Sequence, residues 1–203
     1  MAGRKTSRIE ALSDGVFAVA LTLLVLDIKA PAAEIVHSNA ELCAAFQPLL
    51  PRLLIYFLSF MTLGIFWMGH TTQFHYIAKG DRNLHWISLL FLSIICLLPF
   101  TTSFLSEFIH FRFAIFLYWL NILLCGLVLL FHWHYALRKG LVDAPADLKK
   151  AMTIAMNRRV IIAQILYAIG AALCFFNNYV SITFIIIVQL NYALSLVTRR
   201  FRL

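Results

Sequence analysis

Six apolar stretches, near residues 11–28, 49–77, 86–106, 111–136, 158–176 and 179–198, leave this chain of 203 residues little freedom in how it folds. Each is long enough to cross a hydrocarbon core of about 30 Å as a helix, a task that takes about 20 residues. Lipid offers the backbone no hydrogen bonds, so a spanning segment must satisfy its own peptide groups, as a helix does. Composition agrees. The chain is 62% hydrophobic and 13% charged, with a mean hydropathy of +0.86, where soluble domains run near 45–50% apolar and about 25% charged. A water-soluble globule and a disordered chain are both excluded. The reading is an all-α integral membrane protein, a single domain over 1–203 with six transmembrane helices.

The connections add detail. Pro48 and Pro51 suit the first turn of the second span, Pro99 predicts a kink in the third, and Glu34–Gln47 reads as a short interfacial helix. Arg138–Asn157 reads as a long polar break. Charge then sets direction. With the N-terminus inside, fourteen of the 17 Lys and Arg residues lie on the inner side, among them Arg4, Lys5, Arg8, Arg158, Arg159, Arg199, Arg200 and Arg202. Only Lys29, Arg52 and Arg112 remain outside. This positive-inside bias places both termini in the cytoplasm. It also accounts for the net charge of +8 without nucleic acid, because the basic residues flank the membrane instead of forming a groove-tracking patch.

The first span is the unusual one. It reads Arg8-Ile-Glu-Ala-Leu12-Ser13-Asp14-Gly15 and continues through Val19, Thr22, Leu23 and Leu26 to Asp27. A carboxylate such as Asp14 inside a span costs about 2.5–3.5 kcal/mol on insertion scales unless something compensates it; helix capping or hydration near the interface is the plainer explanation. At 100° per residue, Gly15, Val19, Thr22, Leu23 and Leu26 share a sector roughly 100° wide, and Ser13 and Asp14 point elsewhere. On the second span Ser59, Phe66 and His70 share a face with Trp67 beside it. In an antiparallel pair two polar levels match, each separated by about 12–17 Å along the axis. Thr22 meets Ser59, and Ser13 with Asp14 meets Trp67 with His70, whose N–H groups would satisfy the carboxylate and hydroxyl.

Arg8-x-x-x-Leu12-Ser13-Asp14-Gly15 followed by an aliphatic run, with Trp67-x-x-His70 on the next span, resembles the endolysosomal potassium channel family (transmembrane protein 175) and its prokaryotic members. Leu12 stands where that family's signature has Phe. The resemblance covers residues 8–28 and 56–70 by motif and the rest by architecture. It implies a potassium-permeable channel whose first helix lines the pore, assembled as a homotetramer in the plasma membrane, with monovalent cations and lipid as partners and K+ as permeant ion without a cofactor. It implies a constriction at Val19, Leu23 and Leu26, with Val19 smaller than the residue usual at the tightest ring. It further implies a selectivity layer at Thr22 supported by Ser59, in place of a carbonyl filter. Ser13, Asp14, Trp67 and His70 would then clamp the first helix to the second. Arg8 either joins that clamp or faces the cytoplasmic mouth.

Other functions fit less well. An enzyme would need paired carboxylates, a nucleophile with its base, or metal ligands at membrane depth. Asp14 and Asp27 lie thirteen residues apart on one helix, roughly 20 Å. His132 and His134 point about 200° apart, and with Trp133 and Tyr135 they read as an interfacial belt; no metal site is indicated. Cys43, Cys96, Cys125 and Cys174 form no C-x-x-C pair and read as buried, inert thiols. The nearest rival is a proton-coupled transporter or proton-conducting protein using Asp14 and His70 as a relay. Against it, no inverted repeat and no pair of broken helices is visible.

Overall fold

The structure, a computed structural model, describes residues 6–33 and 36–198, with side chains described through Tyr192. Arg4, Lys5, Glu34, Arg199, Arg200 and Arg202, counted above for orientation or for the interfacial helix, lie outside the described residues. Among the described residues eight α-helices follow one another: α1 (Ser7–Leu23), α2 (Asn39–Phe46), α3 (Leu49–Tyr76), α4 (Arg82–Cys96), α5 (Leu98–Glu107), α6 (Arg112–Arg138), α7 (Ala146–Ala172) and α8 (Asn178–Thr198). Two 3-10 turns, Leu24–Asp27 and Leu173–Phe175, extend α1 and α7. Among the described residues five stretches are long and apolar enough to cross a membrane, with α4 and α5 counting as one, and α8 contributes a shorter apolar run, Asn178–Tyr192.

Local chemistry sets the boundaries. The third span breaks at Leu97, where Pro99 enters the first turn of α5. Proline lacks the N–H that would reach Ile95 O, and its ring crowds that carbonyl. Ser38 caps α2 by accepting from Glu41 N at 3.2 Å, and Glu41 accepts from His37 N at 2.7 Å, a reciprocal arrangement that stops the helix unwinding. After α6 the chain turns through Gly140 at φ +65. There Gly140 N donates to Leu137 O at 3.1 Å and Leu141 N to Ala136 O at 3.0 Å; only glycine takes that positive φ without strain.

The predicted polar break Arg138–Asn157 is a correction. Its second half is helical, because Pro145 starts α7 and Asp147 lies in its first turn, where a negative charge meets the exposed N–H groups.

α6 is the central post. Ala114, Tyr118, Ile122, Cys125, Leu129, Trp133 and Ala136 are buried along it at three- and four-residue spacing. α1 packs on α3 and α4, while α8 closes the bundle against α7 and α3. At Gly170 the last two helices touch: an added Cβ would stand 2.7 Å from Ile185 Cγ1. Ser181 Oγ donates to Gly170 O at 2.6 Å. Gly170→Ala is therefore expected to lower stability by about 1–3 kcal/mol through overpacking, read as a drop in melting temperature in detergent.

One end of the bundle is tied by the chain connections. Ile77 and Val142 form an antiparallel bridge, and Ile77, Leu84, Trp133, Ala136 and Val142 make a small core beneath it. Asp81 caps α4 by accepting from Leu84 N at 2.7 Å and also accepts from Tyr135 Oη at 2.6 Å. Burial opposes its ionisation, but those two hydrogen bonds and the nearby Lys139 and His85 charges win, holding its carboxyl below the usual range. A depressed folded-state pKa stabilises above the ordinary value near 3.9 and is lost as pH falls through the lowered one. Asp81→Ala is expected to cost about 1 kcal/mol at neutral pH. The melting curves of the two proteins should draw together as the pH falls from about 3.9 through that lowered value.

Candidate functional site

α1 has two faces. Ile9, Ser13, Phe17, Ala20 and Leu24 are buried, a stripe at helical spacing that anchors the helix. Phe17 sits between two rings of the neighbouring helices, 6.3 Å from that of His70 and 6.1 Å from that of Phe91. The far side carries Leu12, Gly15, Val19, Thr22, Leu23 and Leu26, all exposed. Among the described residues nothing covers this face. Val19 is 57% exposed, Leu23 42% and Leu26 67%, and no atom stands within 4 Å of a Cβ built on Gly15. Leu12, Gly15, Val19 and Leu23 line a shallow groove shared with Cys96 of α4. The cysteine expectation is corrected here: Cys125 and Cys174 are buried, but Cys96 faces this groove and Cys43 sits on α2, which buries no residue.

The flank between the two faces carries Asp14. Trp67 Nε1 donates to Asp14 Oδ1 at 2.9 Å, which joins the two motif segments across α1 and α3. The remaining members of the predicted clamp are placed differently. Ser13 Oγ turns back on its own helix and donates to Ile9 O at 2.7 Å. Arg8 is exposed. His70 is buried and stacks on Phe91 with centroids 5.0 Å apart and planes 12° from parallel. Its Nε2 has no hydrogen-bond partner among the described residues. Among the described residues no hydrogen bond links Asp14 and His70 for the proposed relay; the His70 ring lies flat on Phe91 instead.

Thr22 and Ser59 also do not meet. Thr22 Oγ1 donates to Val19 O at 2.8 Å, leaving the hydroxyl on the open face. Ser59 is buried among other hydroxyls. It donates to Tyr118 Oη at 3.2 Å and accepts from Thr102 Oγ1 at 2.8 Å. Thr62 shares Tyr118 Oη at 3.2 Å and accepts from Gln189 Nε2. Helices α3, α5, α6 and α8 are joined through these five side chains. In a membrane interior such groups must satisfy one another, since lipid cannot. Polar residues inside apolar spans were the available signal for this network, but four helices had to be placed before partners could be named.

A second network corrects the reading of His132 and Trp133 as an interfacial belt, for both are buried. Gln73 Nε2 donates to Leu129 O at 2.9 Å, which fixes its amide and turns Oε1 toward His132 Nδ1 at 2.7 Å. The proton therefore sits on Nδ1, and Nε2 faces Ser88 Oγ at 3.0 Å. Trp133 Nε1 donates to Thr153 Oγ1 at 3.0 Å. His134 Nδ1 pairs with its own helix at Leu130 O, 2.8 Å away. Among the described residues no group of three His, Cys, Asp or Glu side chains is placed to hold a metal ion.

At the opposite end of the bundle, Asp27 accepts from Ser103 Oγ at 3.0 Å and Arg52 pairs with Glu107 at 2.8 Å. The first contact seats the end of α1 against α5, and the second ties α3 to α5.

Comparison with known proteins places this arrangement. Residues 8–99 match the family model described as endosomal/lysosomal potassium channel TMEM175. A protein of Streptomyces collinus named as a potassium channel is 35% identical over 70% of this chain and 72% of its own length. One of Chamaesiphon minutus, also named as a potassium channel, is 31% identical over 94% of both chains. The crystal structure of a lysosomal potassium-selective channel TMEM175 homolog from Chamaesiphon minutus superposes with a TM-score of 0.80 at 29% identity. It covers 93% of this chain and 96% of that one. The motif in α1, its tryptophan partner in α3 and a match running along 94% of a bacterial relative lead to one conclusion: this multi-pass membrane protein belongs to the TMEM175 family.

Proposed function

We propose that this chain is a potassium-permeable channel, and that four copies place α1 around a common axis with Val19, Leu23 and Leu26 turned inward. The observation that carries this reading is the uncovered face of α1. The exposed faces of α3 and α6 bear aromatic rings, Phe57 and Phe60 on α3 and Phe113 and Phe116 on α6, and that of α7 sets isoleucines in line with Lys150 and Arg158, as suits lipid and its headgroups. The face on α1 carries no aromatic residue. It offers branched aliphatics, a glycine and the Thr22 hydroxyl. A single copy covers α1 on one side only, so a closed pathway requires several.

The mechanism follows from ligand chemistry. Aliphatic rings give a cation nothing to bind, so closure is a matter of drying the constriction, and conduction needs an ion that keeps most of its water. Potassium sheds water more readily than sodium, and the Thr22 hydroxyls replace part of what it loses. Ser59 serves this layer indirectly, by locking α3, α5, α6 and α8 behind the pore helix. The Trp67–Asp14 bond sets the rotation of α1, which decides the side chains that meet on the axis. Six spans with both termini in the cytoplasm of a plasma-membrane protein complete the proposal, supported by the distribution of Lys and Arg and by the names of the bacterial relatives.

The test is conductance of purified protein in planar bilayers with potassium on one side and sodium on the other, together with its mass in detergent. Passive current reversing toward the potassium equilibrium potential, from a particle of four chains, is the expected result. Saturable flux that needs a second substrate would overturn the proposal.

A further inference from the structure

α7 is the most exposed of the long helices in the bundle. Of its 27 residues only Tyr167 and Gly170 are buried, and Lys150, Ile154, Arg158, Ile161, Ile162 and Ile165 are exposed. At spacings of three, four and eight these six share one face, so two cations lie in line with four bare isoleucines. Neither cation forms an ion pair; among the described residues the one such pair is Arg52–Glu107, at the other end of the molecule.

Depth along the helix gives the pattern its meaning. Arg112 donates to Phe175 O at 3.2 Å, marking one headgroup level with a cation. Arg158 stands seventeen residues before Phe175, roughly 25 Å along the axis, close to the full thickness of a hydrocarbon core of about 30 Å. Its guanidinium, on a flexible stem, reaches the opposite headgroup layer. Lys150 lies roughly 12 Å further out. Above Arg158, Ile161, Ile162 and Ile165 stand where acyl chains run.

We propose that this face of α7 binds an anionic phospholipid of the leaflet at the Arg158 end, its phosphate held by Arg158 and Lys150 and an acyl chain laid along Ile161 and Ile165. A guanidinium takes a phosphate through two parallel N–H bonds, which an ammonium cannot. The apolar face supplies contact that a soluble anion would not use. The inference rests on the chain spanning a membrane and is independent of where the pore lies.

The experiment measures lipid carried through purification after detergent extraction into mixed phosphatidylglycerol and phosphatidylcholine. The wild-type protein retains phosphatidylglycerol preferentially. Arg158→Gln lowers that retention about tenfold, and Arg158→Lys restores only part of it. Ile165→Ser lowers it with every cation in place. Lys79→Gln, which removes an exposed cation from the α3–α4 connection, leaves it unchanged, and excess inorganic phosphate does not displace the lipid. Equal losses for Lys79→Gln and Arg158→Gln would mean diffuse attraction to positive charge and overturn the proposal. So would displacement by phosphate alone, or retention that ignores headgroup charge.

Discussion

Shortening Leu23 to Ala is expected to raise potassium conductance several-fold and to narrow the difference between potassium and sodium currents. Each copy loses branched carbons from a face that the protomer leaves open, so four copies together widen one level of the constriction and weaken its tendency to dry. Val19→Asn tests the neighbouring ring, one turn or about 6 Å along α1, from the chemical side. Its amide brings a donor and an acceptor to a ring that had neither, so a hydrated sodium ion loses its disadvantage and the reversal potential moves toward zero. Phe60→Ala is the control. It removes a larger side chain that is also exposed, on a face suited to lipid, and leaves conductance unchanged. Both measurements are single-channel recordings under bi-ionic conditions. Identical currents from wild type, Leu23→Ala and Val19→Asn would mean that α1 does not line the pathway.

Breaking the Trp67–Asp14 bond is expected to have the largest effect on the folded state. Trp67→Phe keeps the aromatic surface but removes the indole N–H that reaches Asp14. A carboxylate on a spanning helix then has no donor, at a cost of about 1–3 kcal/mol and more if it is sealed from water. Asp14→Asn is milder, because an amide oxygen still accepts from the indole. Pairing Asp14→Leu with Trp67→Phe removes both groups at once, and the double variant is expected to be more stable than Trp67→Phe alone. Melting temperature in detergent reports the stability part. Open probability reports the rest, since α1 freed from α3 no longer presents one fixed face to the axis. Additive effects of the two changes would show that the hydrogen bond carries no coupling.

The membrane class was legible before any coordinates, as was the kink near Pro99, because each depends on local facts: a long apolar run, or a missing N–H. The two-sided character of α1 was legible as well. Gly15, Val19, Thr22, Leu23 and Leu26 fall on one sector by helical periodicity, and the structure leaves that sector uncovered. The tryptophan–aspartate contact followed from matching heights on two antiparallel helices. The same matching failed for Ser59. It has the correct height for Thr22 but turns toward α5 and α6, where Thr102 and Tyr118 offer better partners. Height along an axis is a one-dimensional quantity, and rotation about it is decided by neighbours that sequence spacing does not name. His132 shows the same limit, for a histidine near the end of a span reads as interfacial until Gln73 and Ser88 close around it.

What the residues alone determined is therefore whatever a single helix can express: that it spans, where it starts or bends, and which side chains share a face. Those are consequences of peptide geometry and of the cost of exposing polar groups to lipid. What only the tertiary structure decided is the pairing of polar groups between helices. A hydroxyl in an apolar interior must find a partner, yet several lie within reach of its height, and the choice goes to whichever neighbour packing has brought within about 3 Å.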